Sequence, residues 1–243
     1  MIGKIIIMKI KSRERSFRDR KYYCTQERSP FYKIAKKYIP VDGSCTILDI
    51  GAGEGDFANL LNLYSKHKNV FLLDGNTGTV EKLREKYANV IHYKAPRKLP
   101  FTDHSVDYIH SSHLIEHLNS LDLFQFLKEI DRVLAIGGIF IVSSPMLWKE
   151  FYSDLSHIRP YNPEILINYF CDGSPKNRSS EVISKEYSVQ ELVYRYNEIE
   201  YSEGLGSEVY PIDFIIQLLK KIISLFGIKR YEKNGYTIVL KKK

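Results

Sequence analysis

The stretch Leu48-Asp49-Ile50-Gly51-Ala52-Gly53-Glu54-Gly55-Asp56-Phe57 constrains the folding of this chain more than any other. It starts inside a short apolar run, Thr46 to Ile50, and passes through three alternate glycines. Beyond them Phe57, Leu60, Leu61 and Tyr64 have helical spacing. A buried strand that runs through a glycine turn into a helix is the opening unit of a parallel α/β sheet. Glycines at such a turn let the backbone pass close beneath a ligand, and the helix start offers unpaired N–H groups.

The pattern repeats. Further strands are expected at residues 70–74, 90–93, 106–110 and 139–142, with helices at 79–87 and 121–134 between them. Runs apolar on both faces predict a parallel sheet covered by helices. After Pro145 the alternation weakens into a loop, a short helix opened by Asn162-Pro163-Glu164, and a linker-like break from Asp172 to Ser180. Two late strands, Leu192–Tyr201 and Gly235–Leu240, flank a helix from about Ile212 to Phe226 that is punctuated by Pro211 and Gly227.

Charge separates the ends from the middle. Residues 1–37 carry a net +9, residues 220–243 a net +7 and the stretch between them a net −9, for an overall +7. The basic ends therefore do not by themselves point to nucleic acid. Three widely spaced cysteines, Cys24, Cys45 and Cys171, form no CxxC, so neither a disulfide framework nor a cysteine zinc site is indicated. The apolar runs are too short for an export signal or a membrane span, and a cytoplasmic protein is expected.

The glycines form G-x-G-x-G rather than the G-x-G-x-x-G of dinucleotide-binding domains, with Ala58 at the last glycine's position. Asp49, placed just before the turn, suits an ammonium group better than a pyrophosphate. Asp74, at the end of the second strand, is placed to accept from ribose hydroxyls. With LLDG at 72–75, LPFTDHSVDYIHSSHLIEHL at 99–118 and LKEIDRVLAIGGIFIVSSP at 127–145, the sequence resembles the class I S-adenosylmethionine-dependent methyltransferases, those of methyltransferase type 11 among them. The resemblance covers roughly residues 44–145. It implies a Rossmann-like fold with a mostly parallel seven-stranded sheet and helices on both faces, a basic N-terminal helical lid over residues 1–40, and a methyltransferase domain over 41–243. The cofactor core is then 44–145, with acceptor-side insertions at 146–235.

On that resemblance Asp49, Gly51, Ala52, Gly53 and Gly55 hold the methionine part of S-adenosylmethionine, and the product is S-adenosylhomocysteine. Asp74 and Gly75 hold the ribose, and Ser111 stands at the end of the fourth strand. Ala95-Pro96 falls where the family often carries Asp-Ala beside adenine, so an adenine-contacting acid is missing.

A methyl acceptor must be aligned and often deprotonated. The fourth strand ends in His110-Ser111-Ser112-His113 and not in the D/N-P-P-Y/F of enzymes that methylate base amines. No cysteine stands where a base-carbon methylase needs its nucleophile, so a hydroxyl acceptor is favoured. His113, Glu116 and His117 follow that strand, and His113 is one candidate base. The sharper stretch is Ser153-Asp154-Leu155-Ser156-His157-Ile158-Arg159-Pro160-Tyr161. There His157 could take the proton, Asp154 orient its ring and Arg159 pair with an acidic or phosphorylated substrate. The D-x-x-H-x-R-P-Y string resembles methyltransferases that modify surface polysaccharides and O-antigens. No dense acidic cluster is present, so no metal is expected.

The expected activity is O-methylation of a sugar hydroxyl on a surface glycan or its nucleotide- or lipid-linked precursor. A quinone or secondary-metabolite methyltransferase is the alternative within the class. An RNA-binding or RNA-modifying protein that uses the basic residues 9–37 is the alternative outside it, although nucleic acid is not the expected partner. The 212–226 helix has a polar face and an apolar face suited to a membrane surface or to packing. A monomer or a homodimer is expected.

Overall fold

The structure, a computed structural model, describes residues 17–171, 181–200, 209–225 and 229–243. The first sixteen residues of the expected lid, the break at 172–180, Tyr201, Phe226 and Gly227 lie outside the described residues.

Seven strands form one sheet in the order β3-β2-β1-β4-β5-β7-β6. They are β1 (Thr46–Ile50), β2 (Asn69–Asp74), β3 (Val90–His92), β4 (Val106–Ser112), β5 (Leu134–Pro145), β6 (Tyr187–Glu200) and β7 (Lys229–Lys242). The first five are parallel, and β7 runs antiparallel between β5 and β6. The helices are α1 (Phe17–Tyr22), α2 (Ser29–Lys36), α3 (Asp56–Leu60), α4 (Thr77–Arg84), α5 (Ser120–Val133), α6 (Pro163–Phe170) and α7 (Tyr210–Leu225). The seven-stranded, mostly parallel sheet with helices on both faces is the fold expected from the sequence.

Strand alternation divides the core into two layers. Leu48, Ile50, Ile109 and Phe140 face the layer built by Phe126, Leu127 and Ile130 of α5 and Leu166 and Phe170 of α6. Ile47, Tyr108, Ile139 and Ile141 face the opposite layer, built by α2, α3 and α4. Asp49 and His110 share the pleat parity of Ile47 and Tyr108 and are register partners across β1 and β4, so both side chains emerge on the α2–α3 face. That parity matters for the site.

α2 is amphipathic, burying Phe31, Tyr32, Ile34 and Ala35 against the sheet layer. Each of the three large side chains contributes about 1.5–3 kcal/mol on burial. The Tyr108 hydroxyl donates to the Ala35 carbonyl, which fastens the end of the helix to β4 (3.0 Å). α5 is fixed at its start by Asn119, whose side chain accepts from the Leu121 and Asp122 N–H groups.

Three boundaries differ from the sequence reading. β5 starts at Leu134, directly after α5, because a bulge against β4 absorbs Gly137 and Gly138 inside the strand. β6 and β7 are longer than expected, since charged residues such as Lys229, Arg230 and Glu232 pair as an exposed ribbon beyond the sheet. α7 leaves Tyr210, Phe214 and Ile215 more than half exposed. Among the described residues no helix is long and apolar enough to cross a membrane.

Candidate active site at the carboxyl edge of the sheet

The glycine turn is built by backbone. Gly51, Gly53 and Gly55 all adopt positive φ (78°, 55° and 82°), a region open to glycine at little cost. A methyl group on Gly51 would meet Leu114 and one on Gly55 would meet Tyr87, both at 3.0 Å, whereas one on Gly53 would meet nothing within 4 Å. The outer two glycines are thus packed by protein, and the middle one faces open space. The Gly51 and Ala52 N–H groups donate to the Leu73 carbonyl (2.8 and 3.0 Å), and the Gly53 N–H donates to Asp74 Oδ2 (2.9 Å).

Asp49 is buried under this turn. Its Oδ1 lies 2.7 Å from His110 Nδ1, and the imidazole stacks on Phe57 with ring centroids 3.7 Å apart. Asp49 Oδ2 is buried without a hydrogen-bond partner, as is the hydroxyl of Ser111 at the end of β4. An unpaired buried carboxylate oxygen is costly, so a donor is wanted there. Asp74 accepts one backbone N–H on each oxygen, from Gly53 and Asn76, and each oxygen keeps a lone-pair position for a hydroxyl. Gly75 lies against the backbone at Tyr93 and Lys94, beside the half-buried Ala95 and Pro96. An ammonium, two ribose hydroxyls and a flat base have matching places here. The residues fit S-adenosylmethionine.

A second feature opens at the ends of β4, β5 and β7. It is lined by Arg28, Phe31 and Tyr32 from the lid side, Ser112 and His113 after β4, Ser143 and Ser144 of β5, Arg195 of β6, and Tyr236 and Thr237 of β7. The space left is about 10 Å³, room for about one water, so an acceptor enters only if α2 lifts. Tyr32 joins the two features: its ring lies 5.4 Å from Phe57 and 5.7 Å from His110.

His113 has φ 55°, and its Nδ1 stands 3.1 Å from Glu116 Oε1. Burial pushes its imidazole below the usual histidine value, against the opposing pull of Glu116. Arg195 has a buried Nε with no partner, and burial lowers this guanidinium from its ordinary value. Arg28 and Arg195 repel each other across the cleft, and among the described residues neither has a carboxylate within 4 Å. The Tyr236 hydroxyl is buried and unpartnered as well, and desolvation raises its pKa.

Residues 48–142 match the family model described as a methyltransferase domain. Across 100 residues the chain is 39% identical to a probable S-adenosylmethionine-dependent methyltransferase of Mycolicibacterium smegmatis, covering 41% of this chain and 37% of that protein. It is 28% identical over 145 residues to a demethylmenaquinone methyltransferase of Chlorobaculum parvum, covering 59% of this chain and 55% of that one. The chain thus spans roughly a third to a half of the curated relatives it matches. A crystal structure of an S-adenosylmethionine-dependent methyltransferase from Archaeoglobus fulgidus superposes with a TM-score of 0.58, at 22% identity, over 89% of this chain and 95% of that one. The fold is that of the class I methyltransferases.

The sequence candidates separate. Asp49, Gly51, Ala52, Gly53, Gly55 and Asp74 gather around the glycine turn, Ser111 shares the pleat parity of Ile109 on the opposite face from Asp49, and His113 lines the neighbouring cleft. His157, Asp154 and Arg159 do not line that cleft. Asp154 Oδ2 stands 3.9 Å from His157 Nε2, and the Phe151 carbonyl holds Nδ1 at 2.7 Å. Asp154 is itself engaged by the N–H and hydroxyl of Ser156. Arg159 reaches Ser120 at the start of α5 instead of facing the cleft. The sequence reading missed His110, Arg28, Arg195 and Tyr236. Only His110 had a signal, the matching pleat parity of Asp49 and His110 on adjacent strands.

Proposed function

We propose that the protein transfers a methyl group from S-adenosylmethionine to a hydroxyl of an acceptor that carries a phosphate, such as a nucleotide- or lipid-linked sugar precursor of a surface glycan. The observation that carries this reading is the cleft beside the glycine turn, where an imidazole and two guanidiniums without a carboxylate within 4 Å among the described residues line one small space. S-adenosylmethionine supplies the methyl group on a sulfonium, and S-adenosylhomocysteine is left after transfer. Asp49 Oδ2 holds the amino-acid end, Asp74 and Gly75 the ribose, and Ala95 and Pro96 border the base. His113 takes the acceptor proton as the new carbon–oxygen bond forms. Its Nδ1 faces Glu116, so Nε2 is the free position. Arg28 and Arg195 grip the acceptor's phosphate, the task that Arg159 held in the sequence reading. α1 and α2 act as a lid, opening for the acceptor and closing Arg28 over it. None of the three cysteines lines the cleft, in keeping with oxygen as the attacking atom.

A quinone-type acceptor has one supporting observation besides the Chlorobaculum relative. A groove of about 610 Å³ runs between α5 and α6, lined mostly by apolar and aromatic side chains such as Leu123, Phe124, Leu127 and Ile165. Neither His113 nor the glycine turn borders it, so it ranks second. The exposed apolar face of α7 supports contact with a bilayer surface, where a lipid-linked acceptor would reside.

The test incubates the protein with labelled S-adenosylmethionine and separated nucleotide-sugar, lipid-linked glycan, quinone and RNA fractions. Label in a sugar phosphate fraction is expected. Label in RNA or quinone alone overturns the acceptor assignment. His113→Ala should lower turnover by about 10²–10⁴-fold while S-adenosylhomocysteine affinity stays within threefold.

A further inference from the structure

Beneath the 151–159 loop lies a second cluster, whose two histidines methyl transfer does not use. Glu116, His117 and His157 each bring a ligand-type atom within 4.8 Å of the other two. The orientation of the two rings is fixed from behind. His117 Nδ1 lies 2.9 Å from the Ser156 carbonyl and His157 Nδ1 lies 2.7 Å from the Phe151 carbonyl. A carbonyl only accepts, so each Nδ1 carries the proton and each Nε2 keeps its lone pair. Backbone carbonyls that hold the far nitrogen of an imidazole are the usual support of a metal-binding histidine.

Glu116 adds the charge. It is fully buried, its Oε2 receives the Ser144 hydroxyl at 3.3 Å, and its Oε1 lies 3.1 Å from His113 Nδ1. A buried carboxylate beside two imidazoles brings the negative charge that a divalent cation would balance. The loop is also zipped to the same residue, since the Ile158 and Arg159 N–H groups donate to the Glu116 carbonyl.

We propose that Glu116, His117 and His157 bind one divalent transition-metal ion that pins the 151–159 loop to the end of β4. Two imidazoles and one carboxylate favour zinc, cobalt, manganese or iron over magnesium or calcium, which prefer all-oxygen sets. Three protein donors leave further positions for water or Asp154. The sequence expectation of no metal rested on the lack of a dense acidic cluster, a criterion that imidazole donors do not enter. The two histidines take no part in the methyl-transfer reading, and Glu116 is shared, since it also faces His113 Nδ1.

The test uses the full chain, stripped with chelator and titrated with cobalt(II), zinc(II) and magnesium(II) by calorimetry and visible absorption. One equivalent of cobalt is expected to bind in the micromolar range or tighter, to give a ligand-field band, and to be displaced by zinc. His117→Gln and His157→Gln should each weaken cobalt binding at least tenfold, with S-adenosylhomocysteine affinity within threefold. The band and its loss to zinc are read on the unsubstituted protein, so they stand even if a variant fails to fold. No cobalt binding at 100 µM, binding to magnesium alone, or unchanged affinity in a folded His157→Gln protein overturns the site.

Discussion

The carboxyl ends of β1 and β2 and those of β4 and β5, where antiparallel β7 adds Tyr236 and Thr237, lie at the same edge of one sheet but are furnished differently. At the first, the shape is mostly backbone: three positive-φ glycines, N–H groups that tie the turn to Leu73 and Asp74, and one carboxylate held in register by a neighbouring strand. At the second, the grip is side chains gathered from far along the chain, Arg28, His113, Arg195 and Tyr236. A backbone cradle is specified by a few local residues and suits a ligand common to many enzymes. A side-chain cleft can be refurnished without touching the cradle, and this suits an acceptor that differs from enzyme to enzyme.

This contrast can be broken or sharpened by experiment. The largest effect is expected at the cradle's buried base: Asp49→Ala leaves His110 without its partner and should cost about 3 kcal/mol of stability, read from urea unfolding. A loss below about 1 kcal/mol would show that the turn does not depend on that pair. At the cleft, Arg195→Met should raise KM for a phosphorylated acceptor about 10- to 100-fold and leave unfolding within about 1 kcal/mol, because the guanidinium has no protein partner to abandon. A large stability loss with unchanged KM would make Arg195 structural. Gly53→Ala should cost about 1–2 kcal/mol for its positive φ, and any further loss should appear only in cofactor affinity, since no protein atom stands in the way. Calorimetry with S-adenosylhomocysteine separates the two.

The smallest effect lies away from both edges. Hydrogen bonds from Arg132 hold the Glu129 carboxyl below its usual value of 4.5, against some desolvation. A lowered folded value means that this stabilisation is complete above pH 4.5 and is lost as the pH falls through the folded value. Arg132→Met should therefore flatten the acid limb of the stability curve by less than about 1 kcal/mol, with cofactor and acceptor binding unchanged.

How far the sequence foretold these two edges follows from the same contrast. The turn from Leu48 to Phe57 and Asp74 were readable because their chemistry is local: strand, glycines and helix start are contiguous. His113 was readable as a position after a strand. Arg28 and Arg195 were not, because they meet only when β7 inserts between β5 and β6 and α2 folds across the end of β4. The 154–159 string did signal something, but it was read as a proton relay facing an acceptor. Its hydrogen bonds turn His157 toward Glu116 and Phe151 instead, an outcome set by carbonyls that residue type does not reveal.

Tyr32 gives the lid a consequence for timing. The helix that roofs the cleft also lays this ring beside His110 and Phe57, next to the Asp49 carboxylate. On the proposed reading, one movement of α2 uncovers both halves. Shortening Tyr32 should raise the release rates of S-adenosylhomocysteine and methylated product together in a stopped-flow experiment, which would place the timing of turnover in a helix that performs none of the chemistry.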